Sequence, residues 1–194
     1  KITQTITYMP HFISAVVICG LMLDFCKTNG VITSVFTAIT GQEASNMFSH
    51  SAYFQPLYVL MCIWQEFGWD SIIYLAAITS IDPGLYEAAE IDGAGGFAKF
   101  RKITIPMMTP IIFYNFVMAI IGSMQTFTQS YIMTDGGPSN ASLFYSLLVY
   151  RTAFKQSQMG YSAAMSWILF LIIAALTAFV FKTSDNWVIY ENGD

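Results

Sequence analysis

Residues 82–110 read DPGLYEAAEIDGAGGFAKFRKITIPMMTP, and two kinds of structure follow one another within them. Asp82 ahead of Pro83 is an N-cap followed by proline at the first helical position, where the missing N–H is no loss. Glu87 and Glu90 then lie near the positive end of a helix dipole. Gly93, Gly95 and Gly96 interrupt that helix, and it resumes with Lys99, Arg101 and Lys102. After Lys102 no formal charge occurs until Asp135, a run that can hold a membrane-spanning helix of ~20 largely apolar residues. The expectation is an all-α membrane protein in which residues 82–102 form a helix-turn-helix loop outside the bilayer.

Working outward, two more charge-free runs appear, Lys1 to Asp24 and Lys155 to Lys182. The 194 residues are 55% hydrophobic and 10% charged, against roughly 25% charged in an average soluble domain. About four spanning helices are expected in one transmembrane domain over residues 1–194. The first runs from about Pro10 to Phe25, and the second joins two short apolar stretches, Ala52–Trp64 and Ile72–Ile81, through Gln65–Ser71. The third lies between Ile105 and Met133, and the fourth runs from about Tyr161 to Phe181. Val31 to Ser51 reads as a loop on the membrane surface, Asp135-Gly136-Gly137-Pro138 as a turn, and Leu143 to Gln158 as a helix on the side opposite the 82–102 loop. Lys1, Lys99, Arg101, Lys102 and Lys182 fall on one side, and Lys27, Arg151 and Lys155 on the other. The positive-inside rule then puts residues 82–102 in the cytoplasm. The start at Lys1, without initiator methionine or signal sequence, reads as a point inside a longer chain.

Several functions are excluded. The net charge of -4 is dispersed, with no basic run to bind nucleic acid. Cys19, Cys26 and Cys62 sit in or beside apolar segments as packing residues, and His11 and His50 add no metal cluster. No second polar domain shapes a catalytic site, and Gly93-Ala94-Gly95-Gly96 lacks the Lys-Ser/Thr of a phosphate-binding loop.

Two places could carry a solute. At 100° per residue the third span gathers Asn115, Gly122, Gln125 and Gln129 in one sector and Ala119, Ser123, Thr126 and Ser130 in the next, while Val117, Ile120, Ile121, Met124 and Phe127 face away. Asn115, Ser123, Gln125, Thr126 and Gln129 can offer hydrogen bonds to a hydroxylated solute, or can join helices together. In the second span Trp64, Glu66, Trp69 and Asp70 place two indoles and two carboxylates within two turns, and Glu66 and Asp70 share a face at i, i+4. Asp70 would lie ~16 Å from the Ile81 end, near mid-membrane, where a carboxylate faces water or protein. The same residues also suit an interfacial aromatic belt and a broken helix end.

The segment from Tyr86-Glu87-Ala88-Ala89-Glu90-Ile91-Asp92-Gly93-Ala94 through Phe97, Phe100 and Ile103-Thr104-Ile105-Pro106 to Pro110 resembles the EAA loop of ABC importer permeases. Tyr8-Met9-Pro10, Ile73-Tyr74-Leu75-Ala76, Met133-Thr134-Asp135-Gly136-Gly137-Pro138, Met159-Gly160-Tyr161, Trp167-Ile168-Leu169-Phe170 and the closing Asn186-Trp187-Val188-Ile189-Tyr190-Glu191 are similar to the carbohydrate, maltose-transporter-like branch. The resemblance implies that Glu87, Ala88, Ala89, Asp92 and Gly93 form a coupling helix that docks into a cytoplasmic ATPase subunit. The physics of the segment agrees: Ala88 and Ala89 give a smooth surface, Glu87 can meet a basic group, and Gly93 permits the turn. It further implies at least two spans upstream, a second permease subunit, a pair of ABC ATPase subunits and an extracytoplasmic solute-binding protein. The expected protein is a multi-pass permease of the bacterial cytoplasmic membrane, in contact with lipid. It would bind no cofactor itself, leaving ATP and magnesium to its partner, and would pass a small neutral sugar or oligosaccharide. No cation lies within the expected spans, which disfavours an anionic solute such as glycerol phosphate; a non-transporting membrane scaffold is the alternative from another class.

Overall fold

A computed structural model describes residues 2–189, all of them helix or connecting turn, with no strand among them. Lys1, and Tyr190 and Glu191 of the closing motif, lie outside the described residues. The helices are α1 (Ile2–Tyr8), α2 (Ala15–Cys26), α3 (Val31–Thr40), α4 (Ser51–Ser80), α5 (Pro83–Ile91), α6 (Gly96–Lys99), α7 (Ile105–Met124), α8 (Thr128–Thr134), α9 (Tyr145–Tyr150) and α10 (Met159–Ser184). A π-helical turn, Phe100–Thr104, fuses α6 to α7, so Gly96–Met124 is one helix of 29 residues. The described residues divide into two compact units, one formed by the chain up to Trp69 with Met124–Leu169, the other by Asp70–Ser123 with the chain from Phe170 onward.

Among the described residues two helices, Gly96–Met124 and Met159–Ser184, are long and apolar enough to cross a membrane. The second of these is the expected fourth span. The expected second span is also a single helix, α4, of 30 residues with Pro56 near its start; it has the length, but Gln65, Glu66 and Asp70 dilute its apolar character.

The first span departs from expectation. Instead of one helix from Pro10, the chain makes a 3-10 turn at Met9–Phe12, extends at Ile13 and Ser14, and starts α2 at Ala15. The segments Ile2–Phe12 and Ala15–Cys26 meet at 97°, and the described residues hold three candidate spans if that bent pair counts as one. The physical reason is local: Pro10 supplies no N–H to continue α1, and Ser14 accepts a hydrogen bond from the Val17 N–H, capping a new helix. Val31 to Ser51 is also more ordered than a surface loop. Gly30 precedes α3, and Gly41, at φ 71°, ends it by donating its N–H to the Thr37 carbonyl.

In the first unit the core joins Ile18, Cys19 and Cys26 of α2 to Phe54, Leu57 and Met61 of α4, with Met47, Phe48 and Met133. Phe54, Leu57, Met61, Gln65 and Gly68 form the buried stripe of α4, at the spacing of a helix packed on one side. Gly68 allows the backbones of α1 and α4 to touch, because a Cβ there would come within 2.0 Å of the Thr7 carbonyl oxygen. Cys19 and Cys26 are buried free thiols, as packing residues should be.

In the second unit Phe113 and Val117 of α7 pack against Val180 of α10 and Val188, with Ile120 and Ile121 alongside. Phe113 meets Phe181 edge-on at 4.9 Å, and the Ile189 N–H donates to the Thr109 hydroxyl at 2.8 Å. This corrects the helical wheel: Val117, Ile120 and Ile121 do not face away from the protein but make its core, while Ala119, Gly122 and Ser123 are exposed. Apolar side chains here find α10 and the segment after it as partners, so the polar arc is left on the open side.

Candidate functional site

The 82–104 segment is built as its residues dictate. The Asp82 carboxylate accepts from the Gly84 N–H at 2.9 Å, and Pro83 opens α5. At the other end the Asp92 and Gly93 N–H groups donate back to Ala88 and Glu90, the Ala94 N–H reaches the Ala89 carbonyl at 2.8 Å, and Gly93 takes φ 79°. That left-handed value is open to glycine at little penalty and is the reason a glycine stands there.

Two side-chain contacts then fold α5 onto the next helix: Lys99 Nζ donates to Glu90 Oε2 at 3.0 Å, and the Tyr86 and Thr104 hydroxyls share a hydrogen bond of 2.9 Å. Sequence reading singled out neither pair, since α-helical spacing does not connect residues 9 and 18 positions apart. Glu87, Ala88, Asp92 and Gly93 are exposed and Ala89 is half-buried. Around them Ile91 is 88% exposed and Phe97 76%, with Leu85 and Phe100 also uncovered. A short helix carrying acids, small residues and a bare apolar rim is a surface fit for a protein partner.

The nine residues proposed for a solute path fall in both units, Trp64, Glu66, Trp69, Gln125, Thr126 and Gln129 in the first and Asp70, Asn115 and Ser123 in the second. Trp64 lines an apolar cleft of about 450 Å³ with Ile6, Pro10, Leu60, Ile63 and Phe67. Glu66 and Trp69 instead share His11, whose Nδ1 lies 2.8 Å from Glu66 Oε2 and whose ring stacks on Trp69 at 4.5 Å and 3°. Phe12 meets Trp69 edge-on. One indole face and one carboxylate oxygen are therefore already engaged inside the protein. His11 is a hydrogen-bonded structural residue whose partner stands 55 positions away, out of reach of any local pattern. Asp70 is exposed.

The third-span residues part company because α7 ends at Met124. Gln125 and Thr126 lie in a break before α8 begins at Thr128, and Gln129 belongs to α8. A wheel at 100° per residue holds only while the helix continues, so it does not carry from Asn115 to Gln125 and Gln129. Thr126 meets the Tyr58 hydroxyl at 3.3 Å, a contact that favours the break over another helical turn. Ser123 is exposed and donates back to the Ile120 carbonyl. Asn115 is half-buried, and its Nδ2 is buried without a hydrogen-bond partner among the described residues.

Beyond α8 the Asp135-Gly136-Gly137-Pro138 turn is pinned by charge. Lys155 Nζ stands 2.8 Å from Asp135 Oδ2, Arg151 pairs with the same carboxylate at 3.4 Å, and Arg151 also donates to the Asp135 carbonyl. Ser142 ties the loop by hydrogen bonds to Thr134 and to the Gly137 carbonyl. The hydrogen bond from Lys155 holds the Asp135 carboxyl below its ordinary range, opposed by desolvation and reinforced by the Arg151 and Lys155 charges. Among the described residues no group of three His, Cys, Asp or Glu could hold a metal ion.

Comparison with known proteins places these features in a lineage. The family model described as "Binding-protein-dependent transport system inner membrane component" matches residues 1–188. The chain is 36% identical to the probable ABC transporter permease protein YesP of Bacillus subtilis, over 98% of this chain and 62% of that one. It is 31% identical to the lactose transport system permease protein LacF of Rhizobium radiobacter, over 90% of this chain and 60% of the relative. Among solved structures, a chain of the bacterial alginate ABC transporter, crystallised with alginate pentasaccharide-bound periplasmic protein, superposes with a TM-score of 0.84 at 30% identity, covering 94% of this chain and 64% of that one. The chain thus spans about three fifths of the length of the curated relatives it matches. With a helix-turn-helix fused to an apolar span and a family match over nearly its whole length, the chain belongs to the inner membrane components of binding-protein-dependent transport systems.

Proposed function

We propose that this chain is part of the permease subunit of an ATP-driven ABC importer that moves a sugar or oligosaccharide across the bacterial cytoplasmic membrane. Energy reaches it through α5, which docks on a separate ATPase subunit. The observation that carries this reading is the construction of residues 82–104: Glu87, Ala88, Asp92 and Gly93 are exposed beside a bare apolar rim, and the Gly93 turn joins α5 directly to the 29-residue helix Gly96–Met124. Force applied at the docking face would pass into the membrane through one continuous rod. The names of relatives that transport lactose or carry the alginate system support a saccharide; alginate is acidic, so the choice of a neutral solute rests on the absence of Lys and Arg from 103–134 and 156–181. Partners would be a pair of ATPases using ATP and magnesium, a second permease subunit, and an extracytoplasmic solute-binding protein.

The test is copurification of the ATPase with the full-length permease in detergent. Wild type should retain it. Glu87→Lys reverses the charge on the docking face and should release it, as should Gly93→Pro, whose ring cannot take a positive φ. Retention by both variants would remove the coupling assignment.

A further inference from the structure

We infer that Tyr86 and Glu90 are positioning residues that latch α5 to the foot of the α7 span, so that α5, the Gly93 turn and the α6–π segment move as one lever. The inference rests on the coupling reading above and adds how the motion is transmitted. Tyr86 and Glu90 stand at i, i+4 and so share one face of α5. Their partners, Thr104 and Lys99, are five residues apart, which in a regular α-helix would set them about 140° apart on different faces. The π-helical turn at Phe100–Thr104 removes that mismatch, because i→i+5 bonding brings residue i+5 back over residue i. The turn therefore has a purpose the sequence did not disclose: it aligns two partners for one face of α5.

Burial separates the two contacts in strength. Thr104 is 8% exposed, in a stretch where α5 and α6 bury nothing, and Tyr86 is half-buried beside it. Glu90 is 75% exposed, so its pair with Lys99 is the weaker, water-screened member. The latch occupies the Tyr86–Glu90 face and leaves Glu87, Ala88 and Ile91, which are exposed, for a partner. A hinge between α5 and α7 would let ATPase movement dissipate in the turn, and two contacts one helical turn apart on α5 oppose it.

The experiment places spin labels at Gly84→Cys, in the first turn of α5 and outside the apolar rim, and at Phe116→Cys on α7, in the full-length permease with its ATPase bound, carrying Cys62→Ser. Their separation is measured without nucleotide and after trapping with ATP and vanadate. The expected result is one narrow distance peak at the same position in both states. Adding Tyr86→Phe and Glu90→Gln, which remove the contacts with little change of shape, should broaden or shift that peak in the trapped state while the ATPase still copurifies. A wild-type peak that moves between states overturns the lever, and so does a double variant whose peak stays as narrow as wild type. If Glu87→Lys fails to release the ATPase, the coupling reading falls and the lever with it. If Glu87→Lys releases the ATPase but the latch variants behave as wild type, only the lever falls.

Discussion

Gly93 offers a graded test of the docking helix. It stands at φ 79°, and a Cβ built there meets nothing within 4 Å, so any substitution acts through the backbone alone. For an alanine the left-handed conformation is disfavoured by roughly 1–2 kcal/mol. A turn that must be populated before docking would then weaken ATPase binding about 5- to 30-fold, since each 1.4 kcal/mol is a factor of ten. Asparagine, which visits this region more readily, should lose less. Proline, locked near φ −65°, cannot form the turn and should abolish binding. Because no neighbour is close, Gly93→Ser should behave like Gly93→Ala. The assay is titration of the ATPase subunit against detergent-solubilised full-length permease, with affinities ranked glycine, asparagine, alanine, proline. Wild-type affinity for Gly93→Pro, or asparagine worse than alanine, would refute the reasoning.

Two further outcomes follow from packing and charge. Gly68→Ala drives a Cβ to 2.0 Å from backbone of α1, whereas Gly20→Ala on α2 meets nothing within 4 Å. Thermal unfolding should show the first destabilised by about 1–3 kcal/mol and the second unchanged or stabilised by up to about 1 kcal/mol; equal melting temperatures would contradict the α1–α4 contact. Asp135 has a lowered pKa, chiefly through the hydrogen bond from Lys155, so its contribution exists above the ordinary carboxylate value and fades as pH falls through the folded one. With its side chain 46% exposed, that contribution is about 1 kcal/mol at most. Asp135→Asn should lose it at neutral pH and flatten the acid limb of the stability profile, and an unchanged profile below pH ~4 would argue against the Lys155 clamp.

What could be read from the sequence was what local chemistry determines. The Asp82-Pro83 start, the Gly93 turn, the apolar α10 and the joining of two short apolar stretches into α4 all rest on neighbours within a few residues. One failure was local, since Pro10 and the Ser14 cap that break the first span stand within it; the others arose where a distant partner decides. The break at Gln125–Phe127 sits in an uncharged run that reads as continuous helix, and Tyr58, 68 positions from Thr126, is a partner no window includes. His11 gives no sign of Glu66 and Trp69, and the apolar side of α7 could not be known to face α10 instead of lipid. The π turn leaves no signature in Phe100–Thr104, and only the pairing of Lys99 and Thr104 with α5 gives it meaning.

The most direct test of the whole account is transport itself. The full-length permease would be reconstituted into vesicles with its second permease subunit and ATPase, and its solute-binding protein supplied on the extracytoplasmic side. Uptake of a panel of radiolabelled neutral mono- and oligosaccharides would be followed with and without ATP. The account predicts accumulation of at least one saccharide that needs both ATP and the binding protein and is lost in Gly93→Pro. Accumulation that persists in Gly93→Pro, or none for any saccharide while an anionic or non-sugar solute is taken up, would contradict it.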